Sequence, residues 1–315
     1  MKLLAVLMTS LFLFFNQALL SAETEQDKKA EEVAGKIFGA PVSMGNYYFA
    51  KRALMVFGVK WGSEPANEEE LEAKVWDNLL LSFEAFRRGI EVSVPEVEEE
   101  ISKTLKSEKL DFNWKENKVA FDEWLKVKMN ENSELFTNQL RYLIQIKKLR
   151  EQVVAGFSPI VTEEETHQEF LNEYNTLELE LAQFDSLKDA QDFFKKIKNN
   201  TKLWEKEMKK NPKISRRPGF VALEFLMDMW KVPKDALYEI LKINEGAIYP
   251  EIVTIYSNKS AAIRLIKKKV AQEEEFVKLK QSYFDQVTLK KKYESLDNWF
   301  KNLRKEADIE VFVKK

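Results

Sequence analysis

Residues 174–184 read Tyr-Asn-Thr-Leu-Glu-Leu-Glu-Leu-Ala-Gln-Phe, and across them the apolar period changes. Up to Tyr174 apolar residues recur every three or four positions, the spacing of a helix with one buried face. From Leu177 they recur every second position, with Glu178 and Glu180 set between Leu177, Leu179 and Leu181. That is the mark of a strand buried on one side. The chain therefore holds two kinds of construction, and the switch falls just past its middle.

Upstream the pattern is helical. Glu68 to Arg88 carries Leu71, Val75, Leu79, Phe83 and Phe86 on one face and stops at Gly89, a residue suited to the left-handed turn that ends helices. Ser93-Val94-Pro95-Glu96 predicts a capping box that opens a helix through Val97, Ile101 and Leu105. A short helix over 121–129 carries Trp124, and a long one over 135–154 carries Phe136, Leu140, Leu143, Ile146, Leu149 and Val153. Gly156, Ser158 and Pro159 break the pattern before Thr162 to Glu165, a second capping box. Nearer the start, Ile37-Phe38-Gly39-Ala40-Pro41-Val42-Ser43 reads as a short strand and turn. Ser43 is placed to cap a helix through Tyr47, Phe49, Leu54 and Phe57.

Downstream, helices at 187–198 and around Trp204 follow the first strand. Arg216-Arg217-Pro218-Gly219-Phe220 is a turn into a short apolar segment, and Pro233 to Leu241 is a helix. Strands at 252–256 and 261–266 form a hairpin around Ser257-Asn258-Lys259. The order is β-α-α-β-α-β-β. Gln272 to Lys305 predicts one long helix with Phe276, Leu279, Tyr283, Val287, Tyr293, Leu296, Phe300 and Leu303 along one side, followed by a strand-like tail at Ile309 to Val313. That apolar side is too long to serve the small α+β unit alone, so the helix is expected to return to the first helical lobe. The fold class is mainly α: a helical domain at 23–160, an α+β insert at 161–270, and a closing helix and strand at 271–315 packed on the helical domain.

Composition narrows the function. Fifty basic and 52 acidic residues are well mixed and leave a net charge of −2. No basic stripe of the kind that neutralises phosphates stands out, so nucleic acid is not an expected partner. The 315 residues include no cysteine and one histidine, His167. Thiol chemistry and disulfides are excluded, and most metal and dyad chemistry with them; no cofactor is implied. His167 reads as an exposed residue in a charged helix start. The runs Glu98–Glu100, Glu163–Glu165 and Glu273–Glu275 read as first helical turns, where acids complement the helix dipole, and not as metal or hydrolase sites.

Lys2, the apolar run Leu3 to Phe15 and the small residues Ser21-Ala22 before Glu23 form the pattern of a secretory signal peptide spanning 1–22. The run is short for a membrane-spanning helix. Cleavage near Ala22 would leave a chain outside the cytoplasm, in the periplasm, with no stable membrane insertion.

Three stretches resemble the SurA/PpiD/PrsA group of extracytoplasmic foldases. Ile37 to Ser43 is similar to that group's Val-Asn-Gly-Glu-Pro-Ile-Thr opening. Arg88-Gly89-Ile90-Glu91-Val92-Ser93, between two helices, is similar to its Gly-hydrophobic-x-hydrophobic-Ser/Thr link. Trp299 to Val311 resembles its closing Trp-hydrophobic-x-x-Leu-Arg helix and Ala-x-Ile-x-hydrophobic strand. The insert resembles a parvulin, the group's peptidyl-prolyl isomerase domain, at Gly219-Phe220, at Val232-Pro233 through Leu237, at Leu241 and Gly246, and at Ile263-Arg264-Leu265.

The departures bear on activity. Where active parvulins carry His-Ile-Leu on the first strand, this chain has Leu181-Ala182-Gln183. Where they carry Gly-Tyr-His on the last hairpin, it has Lys259-Ser260-Ala261, and Arg216-Arg217-Pro218 replaces Gly-Asp-Leu. The resemblance implies a SurA-like chaperone domain with an inserted parvulin-like domain that has lost its catalytic set, and so no enzyme. Its implied partners are unfolded or nascent envelope proteins, outer-membrane proteins among them, with the oligomeric state left open. Two alternatives stand beside it: an active prolyl isomerase, which needs no nucleophile, and a dedicated module of one envelope complex. The candidate client-binding residues are Phe220, Leu223, Phe225, Met227, Met229 and Trp230, with Leu226 beside them. Methionine and aromatic side chains suit promiscuous surfaces, though the same residues could form the insert's own core. Tyr47, Tyr48 and Phe49 share that ambiguity.

Overall fold

A hairpin opens the described chain. It runs through β1 (Val33–Ile37) and β2 (Ala40–Ser43), turning at Phe38 and Gly39, both with positive φ. Five helices follow: α1 (Met44–Trp61), α2 (Glu68–Arg87), α3 (Val94–Ser107), α4 (Lys118–Lys128) and α5 (Ser133–Ala155). Next come α6 (Glu163–Tyr174), β3 (Thr176–Phe184), α7 (Leu187–Ile197), α8 (Thr201–Lys210), β4 (Ser215–Arg216) and β5 (Phe220–Ala222). The remainder is α9 (Leu223–Asp228), α10 (Lys234–Lys242), β6 (Val253–Thr254), β7 (Ser260–Lys269), α11 (Glu273–Ala307) and β8 (Glu310–Val311). This computed structural model describes residues 32–61, 65–110, 112–197 and 200–313, without the side chains of 58–61. The export segment expected at 1–22 lies outside the described residues. Among them, no helix is long and apolar enough to cross a membrane.

The chain divides into two compact units, residues 1–157 with 294–315, and residues 158–293. In the first, β1 lies between β2 and β8 in an antiparallel sheet, with Gly35 opposite Val311 and Lys36 opposite Glu310. The tail strand therefore pairs with the opening strand, as the two otherwise orphaned strand segments imply. Gly35 is obligatory there, because a Cβ would lie 2.2 Å from the Glu310 carbonyl oxygen and 2.5 Å from the Trp76 ring. Phe57, Ile101, Leu125, Phe136 and Leu140 form one of this unit's cores, and α2, α5 and the end of α11 close around Leu81, Leu149 and Phe300. The long helix is not given wholly to this unit. Up to Tyr293 it belongs to the second unit, because Phe276 and Tyr283 pack on Phe170 of α6. Two residues expected on buried faces, Phe86 and Tyr293, are exposed.

In the second unit β3 is the central strand. It pairs with β7 along its whole length, with β4 at Leu181–Ala182 and with β5 at Thr176–Glu178. Alternation sends Leu177, Leu179 and Leu181 to one face, where Ala261, Ile263 and Leu265 of β7 join them under α9 and α10. Ala182 and Ala262 face the other way, under Phe193 and Ile197 of α7 and Trp204 of α8. Each buried leucine contributes about 1.5–3 kcal/mol relative to exposure. The expected order is present with two additions, the first a two-residue strand, β4, at the start of the expected turn. The apolar segment after Phe220 becomes a strand and then a separate six-residue helix, α9.

Both capping boxes are formed. The Glu96 carboxylate accepts from the Ser93 N–H at 2.8 Å, and that of Glu165 from the Thr162 N–H at 2.8 Å. Lys148 and the Ser93 N–H hold the Glu96 carboxyl down to about 2; Lys291 and the Thr162 N–H do the same for Glu165, also to about 2. The acidic runs divide. Glu163–Glu165 and Glu273–Glu275 sit in first turns as expected. Glu98–Glu100 lie beyond the first turn of α3, where Glu98 pairs with Lys115 at 2.5 Å and Glu99 with Lys103 at 2.7 Å.

Candidate functional site

The positions where the resemblance implies two histidines are neighbours in space and are both core. Leu181 of β3 faces Ile263 and Gln183 faces Ala261 across the β3–β7 ladder. Leu181 and Ala261 are each 0% exposed and belong to one apolar cluster with Leu226 and Leu237. The polar groups nearby are committed. The Gln183 side-chain oxygen accepts from the Tyr256 hydroxyl at 2.9 Å, Tyr256 packs edge-on against Trp230 with centroids 5.5 Å apart, and Lys259 pairs with Asp185 at 3.1 Å. Among these groups none is placed as a free acid or base.

The other face of the sheet holds a buried carboxylate. Glu180 accepts from Trp204 Nε1 at 2.8 Å and from Arg217 Nη2 at 2.5 Å, with Arg264 Nη1 at 3.8 Å. The Arg217 guanidinium is pushed up by that hydrogen bond to Glu180. The arginine that replaces part of the Gly-Asp-Leu turn thus neutralises a buried charge, which would be costly alone. Gly219 then turns the chain with φ +94°. Glu180 and Trp204 lie 24 positions apart, and no local sequence pattern pairs them. A glutamate at an inward position of an alternating strand was the available signal.

The six candidate client-binding residues do not form one surface. Leu223 is fully buried, as is Leu226 beside it, so neither is available to a client. Met227 and Trp230 are half-buried and pack against the same core. Phe220 is 51% exposed, but its register opposite Glu178 puts it on the sheet face away from Leu177 and the α9 side. Phe225 and Met229, four residues apart on α9 and its cap, are 42% and 64% exposed and form one stripe. In the helical unit Tyr47 is buried with its hydroxyl on Glu72 at 2.5 Å, Phe49 packs edge-on against Tyr142, and Tyr48 is exposed.

His167 is not the freely exposed residue expected. It is half-buried against Phe276, centroids 4.5 Å apart, with Nε2 3.1 Å from Glu273 Oε2. Each unit carries an open cavity. One of 300 Å³ lies between α4 and α5 and is lined by Trp114, Phe121 and Thr137 among others; one of 440 Å³ lies beside α10 and is lined by Asp235, Glu239, Tyr249 and Glu251 among others.

No family model matches the chain, and no curated protein matches it. Among solved structures it is similar to a SurA-like chaperone of Campylobacter jejuni, at 15% identity over 90% of this chain and 99% of that one, with a TM-score of 0.40. It is also similar to the peptidylprolyl isomerase PrsA of Bacillus cereus, at 14% identity over 90% and 95% with a TM-score of 0.40. PrsA of Bacillus anthracis matches at 14% identity over 77% and 98%, with a TM-score of 0.39.

Proposed function

We propose that this protein is an exported chaperone of the bacterial periplasm that binds unfolded envelope proteins, outer-membrane proteins among them, through a parvulin-like insert that does not catalyse isomerisation. The observation that carries the reading is the pair Leu181 and Ala261. They stand at the positions where the resemblance implies catalytic histidines, and both are sealed in one apolar core. Rotation about an X–Pro bond has a barrier near 18–20 kcal/mol. At both positions the side chain here is aliphatic, with no proton to give or take, and packed into the insert's core. Client binding needs less: exposed apolar groups that meet many sequences weakly. Phe225 and Met229 supply such a stripe on a short, separate helix. The periplasmic address rests on the pattern of residues 1–22.

The test is a pair of assays on the mature chain: prolyl isomerisation of a peptide followed by NMR exchange, and suppression of aggregation of an unfolded outer-membrane protein. Suppression without isomerisation is the expected result. Isomerisation at a rate typical of parvulins would overturn the inactive-insert reading, and no suppression would overturn the chaperone reading.

A further inference from the structure

We propose that the exposed flank of α9 selects cationic apolar client segments, in which an aromatic or aliphatic side chain lies next to lysine or arginine. This rests on the client-binding reading above and names the chemistry of the client.

The stripe of Phe225 and Met229 does not stand alone. Glu224 and Asp228 repeat the same four-residue spacing one position earlier, so a carboxylate stripe runs beside the apolar one. Both acids are exposed. The helix that α9 packs against, α6, adds Glu169 and Glu173. These carboxylates lie close enough to be felt: the Glu224 carboxyl is pushed above its ordinary range by burial first, then by Glu169, Asp228 and Glu173. Lys290 opposes them in part, its ammonium 3.1 Å from Glu169. The Tyr283 hydroxyl donates to Glu173 at 2.5 Å. Glu224 and Asp228 thus border the apolar stripe with two exposed carboxylates, and Glu169 and Glu173 act on Glu224 from α6.

A client residue laid on Phe225 and Met229 therefore meets carboxylates on its flank. Flanking cations gain there, and flanking acids are repelled and raise the cost further. Exposed pairs are individually weak, about 0.2–1 kcal/mol each, so two cations favour binding by about fivefold. The preference should shrink as salt rises, because the pairs are solvent-exposed. Methionine adapts to the shape of the apolar residue, so selection falls on charge more than on side-chain form.

The test uses the full mature chain and three fluorescent peptides of one aromatic core, flanked by lysines, glutamines or glutamates, with affinity read by anisotropy. The expected result is an affinity order of lysine over glutamine over glutamate, with about fivefold between the first two at low salt. Glu224→Gln with Asp228→Asn should bring that ratio close to one. Phe225→Ser with Met229→Ser should weaken all three peptides, with circular dichroism confirming that the exposed substitutions leave the fold intact. Equal affinities for the three peptides, or a lysine preference that survives the carboxylate variant, would overturn the inference while leaving client binding in place. Undiminished binding by the Phe225/Met229 variant would overturn the location. Absence of any binding, together with absence of aggregation suppression, would take down the chaperone reading as well.

Discussion

A histidine placed at position 181 should destabilise the insert strongly rather than create an enzyme. Leu181 is 0% exposed and shares its cluster with Leu179, Ile263 and Leu237. Leu181→His removes a buried side chain worth about 1.5–3 kcal/mol of transfer free energy. It also buries an imidazole within an apolar cluster, and the oxygen of the nearby Gln183 side chain is already engaged by Tyr256. An unsatisfied buried polar group adds about 1–3 kcal/mol. The sum, roughly 3–6 kcal/mol, is a large part of the 5–15 kcal/mol that holds a typical domain together. With a urea dependence of about 2 kcal/mol per molar, the midpoint should fall by roughly 1.5–3 M. Hydrogen exchange of β3 and β7 peptides across a urea series follows the insert separately from the helical unit. A Leu181→His chain whose β3 midpoint stays within about 0.5 M of the parent would refute the claim that this position is closed core, and with it the main argument for an inactive insert.

Other outcomes follow from the same structure. Gly35→Ala should break the β1–β8 pairing at a cost of about 1–3 kcal/mol, read as lost exchange protection at the Phe312 amide, which donates to the Ala34 carbonyl at 2.8 Å. Arg217→Ala should destabilise the insert by about 1–2 kcal/mol in urea unfolding; the full cost of orphaning a buried carboxylate is larger, but this guanidinium is 68% exposed and Trp204 and Arg264 remain on Glu180. Glu96 and Glu165 have carboxyls held at about 2 against an ordinary 4.5, so the stabilisation they give is present above 4.5 and is lost as pH falls toward 2. Glu96→Gln and Glu165→Gln should each flatten the acid limb of the stability–pH curve between those values, and an unchanged limb would count against both boxes. Tyr47→Phe removes a hydroxyl bound to Glu72, and urea unfolding should show a loss of about 1 kcal/mol.

Much of this architecture is legible in the sequence because local rules and tertiary structure agree. Ser93 with Glu96 and Thr162 with Glu165 mark helix starts, and the alternation of Leu177, Leu179 and Leu181 marks the central strand. What is not legible has a common physical cause. Periodicity says which residues share a face, not whether anything covers it. Phe86 and Tyr293 sit on well-formed apolar stripes and are exposed. Leu223 and Phe225 are equally apolar and two residues apart, yet one is core and the other surface. The six-residue helix α9 has too few turns for a period and no side-chain cap to announce it. His167 looks solvated from its neighbours, and only the return of α11 brings Phe276 over it.

The sheet β2-β1-β8 joins residues from both ends of the chain, with Lys36 bound to Glu310 across 274 positions. A polypeptide made from its amino end exposes β1 long before β8 exists. The insert is contiguous in sequence and can complete itself while the helical unit still waits for its last strand. Long-range pairings of this kind form slowly, so closure of the β1 edge should be the final event of maturation. Until then the unfinished edge can pair with any passing strand. A chain that stops or is clipped before β8 leaves the hairpin open, so the pairing of β1 with β8 reports that synthesis has passed residue 311.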